Sequence, residues 1–251
     1  MSLLSPKKRL HKWQFIANKN ISSYQINVRG GRLNKYSRIL NKEVRIYKEW
    51  VYKHYSEMTE DTDNGEFLGP SFDRMRESAI SFVKNVEVKD VTETDLESIL
   101  YCVARDNECE YLADFISSYK EWFKYLIERC IDSIYTTAKW QLVKRLPVYK
   151  DDSSVTDWVF KYINVDDEYT QRMSLSVLSE IDYKKAEQYA IEFWERDKYK
   201  GDTYAEEYQK IMALSVLYKI KSDKLSEYIE AARQLDFVYL KENADEIANS
   251  D

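Results

Sequence analysis

Two histidines and three cysteines are the residues of this chain best suited to nucleophilic or metal chemistry. His11 and His54 lie in the basic N-terminal third, and neither has the His or Cys partner, four residues on, that a helical metal site needs. Cys102, Cys109 and Cys130 lack C-x-x-C spacing, which favours buried thiols in a reducing compartment. No phosphate loop, G-x-S-x-G or H-E-x-x-H occurs in the sequence. We therefore predict no catalytic residue, no metal and no cofactor.

Acidic clusters offer two further kinds of chemistry. The segment 61–65 reads Asp-Thr-Asp-Asn-Gly, but Glu66 and Phe72 stand where a calcium-binding EF-hand loop needs glycine and glutamate. The clusters at 166–168 and 206–207 could supply paired acid and base groups. They stand, however, at equivalent points of a repeated pattern, where negative charge favours the start of a helix. We interpret them as helix-start residues.

A repeat of 39 residues organises the C-terminal half of the chain. Residues 168–181 and 207–220 align with eight identities in fourteen positions, and each segment opens with a Glu-Tyr pair. A period of this size with helical patterning is typical of stacked helix pairs, in which no unit buries its apolar face alone.

The first helix of this repeat resembles the HEAT-type repeats of bacterial α-solenoids, which read acidic-acidic-x-Tyr-x-x-Arg-x-x-Ala-Leu-x-x-Leu. Residues 166–172 follow the acidic, tyrosine and arginine positions of that pattern, the chain departs from it around Ser174, and Ile211 replaces the arginine in the next repeat. The resemblance covers roughly residues 130–240. It implies an all-α fold, a right-handed α-solenoid of stacked antiparallel helix pairs, with about twelve helices.

Apolar periodicity places these helices along the chain. Ser71 is predicted to cap the second helix, and Thr94 with Glu97 to form a capping box at the start of the third. Residues 1–70 are predicted to form a basic N-terminal helical segment and loop, and residues 71–251 the HEAT-like solenoid. The other helices are predicted near 33–55, 109–117, 119–131, 133–146, 154–164, 167–181, 184–196, 204–220, 223–234 and 236–248.

Charge is distributed unevenly along the chain. Residues 1–55 hold thirteen Lys or Arg and two acids, a net charge of +11, whereas residues 56–251 hold 25 basic and 42 acidic side chains, a net charge of −17. The basic segment could bind nucleic acid, or it could lie against the acidic solenoid. No apolar run reaches the length of a membrane helix. We expect a cytoplasmic protein without membrane contact.

The chain is rich in aromatic residues, with 21 tyrosines and six tryptophans. Helical stripes assign most of them to the core. Several apolar side chains on the second helices of the repeats either lie off the stripe or turn polar in the next repeat. Such residues could anchor a partner, or they could pack between neighbouring second helices. The predicted partner-binding residues are Trp158, Phe160, Ile191, Trp194 and Arg233.

These features predict a non-catalytic α-solenoid that binds a protein through a concave face lined by the second helices. The acidic body favours a basic partner, and by analogy an immunity protein that neutralises a basic toxin domain is one form of this prediction. A weaker resemblance to HEAT-like alkylpurine DNA glycosylases implies catalysis, with Trp122, Asp132 and Trp140 as the nearest candidates. The acidic body argues against DNA binding by that surface. A third alternative is a nucleic-acid-associated scaffold that uses residues 1–55.

Overall fold

A computed structural model describes residues 34–55 and 67–250 of the chain. Within these ranges the backbone forms twelve α-helices and two 3-10 helices, at Val88–Asp90 and Leu146–Tyr149, and no β-strand. The α-helices are α1 Lys35–His54, α2 Pro70–Asn85, α3 Glu93–Arg105, α4 Tyr111–Ser117, α5 Lys120–Cys130, α6 Thr136–Val143, α7 Ser154–Tyr162, α8 Glu168–Ile181, α9 Tyr183–Glu195, α10 Thr203–Lys219, α11 Leu225–Gln234 and α12 Val238–Ala248.

The predicted all-α fold is confirmed, and most predicted helix ends lie close to the observed ones. The helix predicted over 133–146 is shorter, because it ends at Val143 and a 3-10 turn containing Pro147 follows. Proline lacks the backbone N–H that continuation of the helix would need. His11, the segment 61–65 and most of the basic segment lie outside the described residues.

Two predicted helix caps are wrong. Helix α2 begins at Pro70 after Gly69, so Ser71 lies inside the helix, as expected because proline is favoured at a first helical position. The capping box of α3 is formed by Thr92 and Asp95, two residues before the predicted pair. Both pairs fit the local pattern, but only the Asp95 carboxylate is also bonded to α1.

Contacts between helices follow the order of the sequence. The first helices of successive pairs contact one another in the series α1, α3, α6, α8, α10, α12. Helix α9 packs on both α8 and α10, and α11 packs on both α10 and α12. This series agrees with repeating helix pairs, whereas the right-handed superhelix remains a prediction.

One hydrophobic core extends from Leu40 in α1 to Ile247 in α12. A compact unit begins at Lys35, the first residue of α1. Helix α1 therefore shares the core of the following helices, although its sequence is as basic as the segment that precedes it. No helix in residues 34–55 and 67–250 is long and apolar enough to cross a membrane.

Buried polar side chains on the first helices bond to backbone carbonyls of other elements. The Gln141 amide donates to the Val103 carbonyl at 2.8 Å, and the Gln171 amide donates to Val165 at 2.5 Å. Lys210, the repeat equivalent of Gln171, donates from its ammonium to the Trp194 carbonyl at 2.6 Å. Each bond satisfies a buried acceptor that would otherwise reduce stability.

Candidate interaction site

Two of the predicted partner-binding aromatics, Phe160 and Trp194, pack against neighbouring second helices. Phe160 on α7 stacks on Tyr189 of α9, with ring centroids 5.8 Å apart. Trp194 on α9 meets Tyr228 of α11 edge to face at 5.1 Å. Trp158 and Trp194 are only 4% and 9% exposed. Packing accounts for these positions, and their role in partner binding remains a prediction.

The other two predicted binding residues differ in their surroundings. Ile191 is half-buried against the core. Arg233 pairs with Glu230 at 2.6 Å and with Asp245 at 2.8 Å, so its guanidinium joins α11 to α12. These contacts fix the Arg233 side chain on the surface of the helix pair.

The three residues suggested by the glycosylase resemblance lie in three different settings. Trp122 on α5 is buried, and its indole N–H donates to the Val86 carbonyl at 3.0 Å. Asp132 is exposed in the turn after α5. Trp140 lies on α6, where its ring meets Tyr169 of α8. The Trp122 indole is therefore part of the core, where it is hydrogen-bonded.

The described histidine and the three cysteines differ in their exposure. His54 is exposed, and its ring nitrogen contacts the Trp50 carbonyl at 2.7 Å. Cys102 and Cys130 are buried and Cys109 is exposed, and burial raises the pKa of the Cys130 thiol to about 11. No group of three or more His, Cys, Asp or Glu side chains in residues 34–55 and 67–250 is placed to hold a metal ion.

Tyrosine is less buried than the sequence pattern predicts, so the assignment of most tyrosines to the core is wrong. Among the described residues the buried tyrosines are Tyr47, Tyr101, Tyr135, Tyr162 and Tyr228. A larger group is exposed: Tyr52, Tyr55, Tyr111, Tyr169, Tyr183, Tyr204, Tyr218 and Tyr239. Most of the phenol rings therefore retain contact with solvent.

Five aromatic side chains form a connected row across four consecutive first helices. Trp140 of α6 meets Tyr169 of α8 at 5.2 Å, nearly perpendicular. On α10, Tyr204 and Tyr208 are 4.4 Å apart, and Tyr208 lies 6.5 Å from Tyr239 of α12. We call these five residues the aromatic row.

Arg172 completes the row by joining its two halves. Its guanidinium carbon lies 4.8 Å from the ring centroid of Tyr169 and 5.0 Å from that of Tyr208. Its Nε donates to Glu168 at 2.6 Å, and the Gln209 amide donates to the same carboxylate oxygen at 2.7 Å. The cation is thus held between two rings by contacts from two repeats.

The row is accessible although its supports are buried. Tyr169, Tyr204 and Tyr239 are 39%, 65% and 55% exposed. Their helices pack in the continuous core, so the backbone beneath the rings is fixed. Large aromatic rings with few rotatable bonds are the side chains that dominate protein-binding hot spots, because ordering them costs little entropy.

Two phenols of the row, those of Tyr169 and Tyr208, have a raised pKa. Burial raises the pKa of Tyr169, and the neighbouring Arg172 only partly opposes this effect. Burial also raises the pKa of Tyr208, with further contributions from Tyr204 and Tyr239. The hydroxyls of Tyr169 and Tyr208 therefore keep their protons at neutral pH, and each can both donate and accept a hydrogen bond.

No family model matches this chain, and neither a curated protein nor a solved structure matches it. The HEAT-type resemblance therefore rests on the repeat pattern alone. One feature of the repeat pattern, its Glu-Tyr pair, contains two residues of the aromatic row. The Glu-Tyr pair is identical in both repeats, and its tyrosines, Tyr169 and Tyr208, are row residues that lie outside the fully buried core.

A pocket of about 240 Å³ lies on another part of the surface, lined by Lys120, Tyr149, Asp152 and their neighbours. It is smaller than typical small-molecule sites, which enclose about 300–1,000 Å³. Asp152 accepts hydrogen bonds from Lys124 at 2.7 Å and from the Ser154 hydroxyl at 2.6 Å. The lining carboxylate of Asp152 is therefore already paired with a cation of the protein.

The Asp152 carboxyl is expected to stay ionised in the native protein at a pH where ordinary aspartates are protonated. The Lys124 ammonium and the Ser154 hydroxyl hold its pKa well below the usual value of about 3.9. Because the pKa is depressed in the folded state, the stabilisation exists above the unfolded pKa and is lost as the pH falls through the folded pKa. Carbon NMR of the carboxyl during an acid titration measures the midpoint.

Lys124→Met is expected to move the Asp152 midpoint up toward the ordinary value. Lys161→Met is the control, since Lys161 is exposed and lies on α7, the helix that follows Asp152. An ordinary midpoint in the unmodified protein would contradict this assignment of the ion pair.

Proposed function

We propose that this chain is a non-catalytic helical scaffold that binds a protein partner through the aromatic row. The observation that carries the proposal is the combination of exposed rings and fixed supports. Tyr204 and Tyr239 are more than half exposed, yet they stand on helices that pack in the common core. Exposed aromatic groups grouped on one surface are characteristic of interaction sites.

The charge of the chain supports a basic partner. Residues 56–251 carry a net charge of −17, and complementary charge raises association rates and rejects wrong partners. An immunity protein that neutralises a basic toxin domain is the specific form of this proposal, and it rests on analogy.

Nucleic-acid binding through the basic segment is a second candidate. The outer face of α1 supports it, since Lys35, Arg38, Lys42 and Arg45 are all exposed. Clustered Lys and Arg side chains provide the phosphate contacts on which nucleic-acid affinity depends. This candidate uses a different surface from the aromatic row, so the two can be tested separately.

Photocrosslinking tests the proposed protein interaction. A benzoylphenylalanine residue at position 204 is expected to yield covalent polypeptide adducts in the cells that make the protein. The same residue at position 183 is the matched control, because Tyr183 is 63% exposed at the start of α9 and Tyr204 is 65% exposed at the start of α10. Mass spectrometry then identifies the adduct.

The identified partner is next purified and its Kd is measured. The double variant Tyr204→Ala/Tyr239→Ala is expected to weaken binding at least about tenfold, as hot-spot residues do, whereas Tyr183→Ala is expected to leave the Kd unchanged. Equal crosslinking at positions 183 and 204, or adducts with nucleic acid alone, would contradict the proposal.

A further inference from the structure

The two ends of the aromatic row differ in their cations. At one end the Lys144 ammonium lies 5.2 Å from the Trp140 ring centroid. In the middle, Arg172 lies between Tyr169 and Tyr208. At the other end, no Lys or Arg side chain among the described residues lies over the ring of Tyr204 or Tyr239. Cation and ring therefore alternate along the row until its most exposed end.

The helices that carry that end are acidic in sequence. Residues 202–248 hold six Lys or Arg and ten Asp or Glu, a net charge of −4. Two exposed carboxylates, Asp202 and Asp236, precede Tyr204 and Tyr239 by two and three residues. Glu207 is buried and accepts from the Leu240 backbone N–H at 3.1 Å, which ties the starts of α10 and α12 together.

We infer that the Tyr204–Tyr239 end of the aromatic row receives an arginine side chain of the partner protein. The inference rests on the proposed function and names the chemistry of the partner. The face of a tyrosine ring attracts a cation within about 6 Å of its centroid. A guanidinium is favoured over an ammonium because it is planar, stacks on aromatic rings and is more weakly hydrated.

The protein already contains one arginine between tyrosine rings, the arrangement that we infer for the arginine of the partner. Arg172 stacks between tyrosines of two repeats and is held by the carboxylate of Glu168. An arginine at the Tyr204–Tyr239 end would likewise meet rings of α10 and α12, which are linked through Tyr208, on helices of net negative charge. When the partner's arginine binds there, its guanidinium would supply a cation at the end of the row that lacks one.

Selection from a displayed library of random twelve-residue peptides tests the inference on the full-length protein. Peptides that bind the unmodified protein, but not Tyr204→Ala/Tyr239→Ala, are expected to be enriched in arginine. A synthetic copy of such a peptide is then compared with a copy in which citrulline replaces arginine. Citrulline keeps the shape and loses the charge, so the affinity is expected to fall at least about tenfold.

Aromatic substitutions identify the part of the tyrosine that is used. Tyr204→Phe/Tyr239→Phe is expected to keep most of the affinity for the arginine peptide, because the ring face is retained. Tyr204→Leu/Tyr239→Leu is expected to lose it. Tyr183→Ala serves as the control for loss of an exposed tyrosine, and circular dichroism verifies that each variant is folded.

The outcomes separate this inference from the function on which it rests. Row-dependent peptides without arginine, or equal binding of the citrulline copy, would overturn the arginine inference and leave protein binding through the row intact. Failure to select any peptide that depends on Tyr204 and Tyr239 would overturn both. Row-dependent binding of a single-stranded oligonucleotide, tested in parallel, would also overturn the arginine inference.

Discussion

Asp95→Ala is expected to lower the free energy of unfolding by about 3–5 kcal/mol, because it removes both a helix cap and the acceptor shared by several neutral donors. The Asp95 side chain is fully buried at the start of α3. Its carboxylate accepts four hydrogen bonds: from Ser37 at 3.2 Å, from Asn41 at 2.9 Å, and from the backbone and hydroxyl of Thr92 at 3.1 and 2.7 Å.

The size of this effect follows from what the substitution leaves behind. Ser37 and Asn41 belong to α1, so the carboxylate joins two helices as well as capping α3. Alanine leaves their donors buried without an acceptor, and each unsatisfied group costs about 1–3 kcal/mol. It also removes a negative charge from a helix N-terminus, where that charge is favourable.

Urea denaturation followed by circular dichroism measures the change for Asp95→Ala. Asp157→Ala is the matched control, since Asp157 lies in the first turn of α7 but is exposed. The control is expected to lose less than about 1 kcal/mol, in the range of a helix-dipole contribution. Equal losses in the two variants would show that the charge near the helix N-terminus, and not the contact with α1, accounts for the effect of Asp95.

The same carboxylate shows where prediction from sequence ends. Thr92-x-x-Asp95 and Thr94-x-x-Glu97 both match the capping pattern, and local propensity does not separate them. The observed pair is selected by Ser37 and Asn41, which are more than fifty residues away in the sequence. Helix positions were predictable because amphipathic periodicity is local, whereas this cap depends on a tertiary contact.

The aromatic row illustrates a second limit. A stripe of apolar and aromatic residues locates the buried face of a helix, but tyrosine suits both core and surface because it is apolar with a polar tip. Tyr162 is fully buried and donates to the Ile127 carbonyl at 2.7 Å, whereas Tyr204 is largely exposed. Their exposure is decided by whether a following helix covers the ring, which one helix alone does not reveal.

Trp194→Ala is expected to lower the free energy of unfolding by about 3–5 kcal/mol, the usual cost of truncating a buried large aromatic side chain. The indole is 9% exposed and packs edge to face on Tyr228. The Lys210 ammonium, itself buried, lies 5.4 Å from the indole centroid. Truncation therefore opens a cavity between α9 and α11 and removes the aromatic neighbour of a buried cation.

Equilibrium unfolding in urea, combined with partner affinity, separates packing from recognition at Trp194. Burial of Lys210 lowers the pKa of its ammonium, so the cation already bears a desolvation cost that the indole helps to offset. A large loss of stability with unchanged Kd would assign Trp194 to the core.

Tyr183→Ala, on the exposed side of the same helix, is expected to change stability by less than about 0.5 kcal/mol. A weaker Kd for Trp194→Ala, with stability as in that control, would instead place the binding surface on the second helices and move it away from the aromatic row.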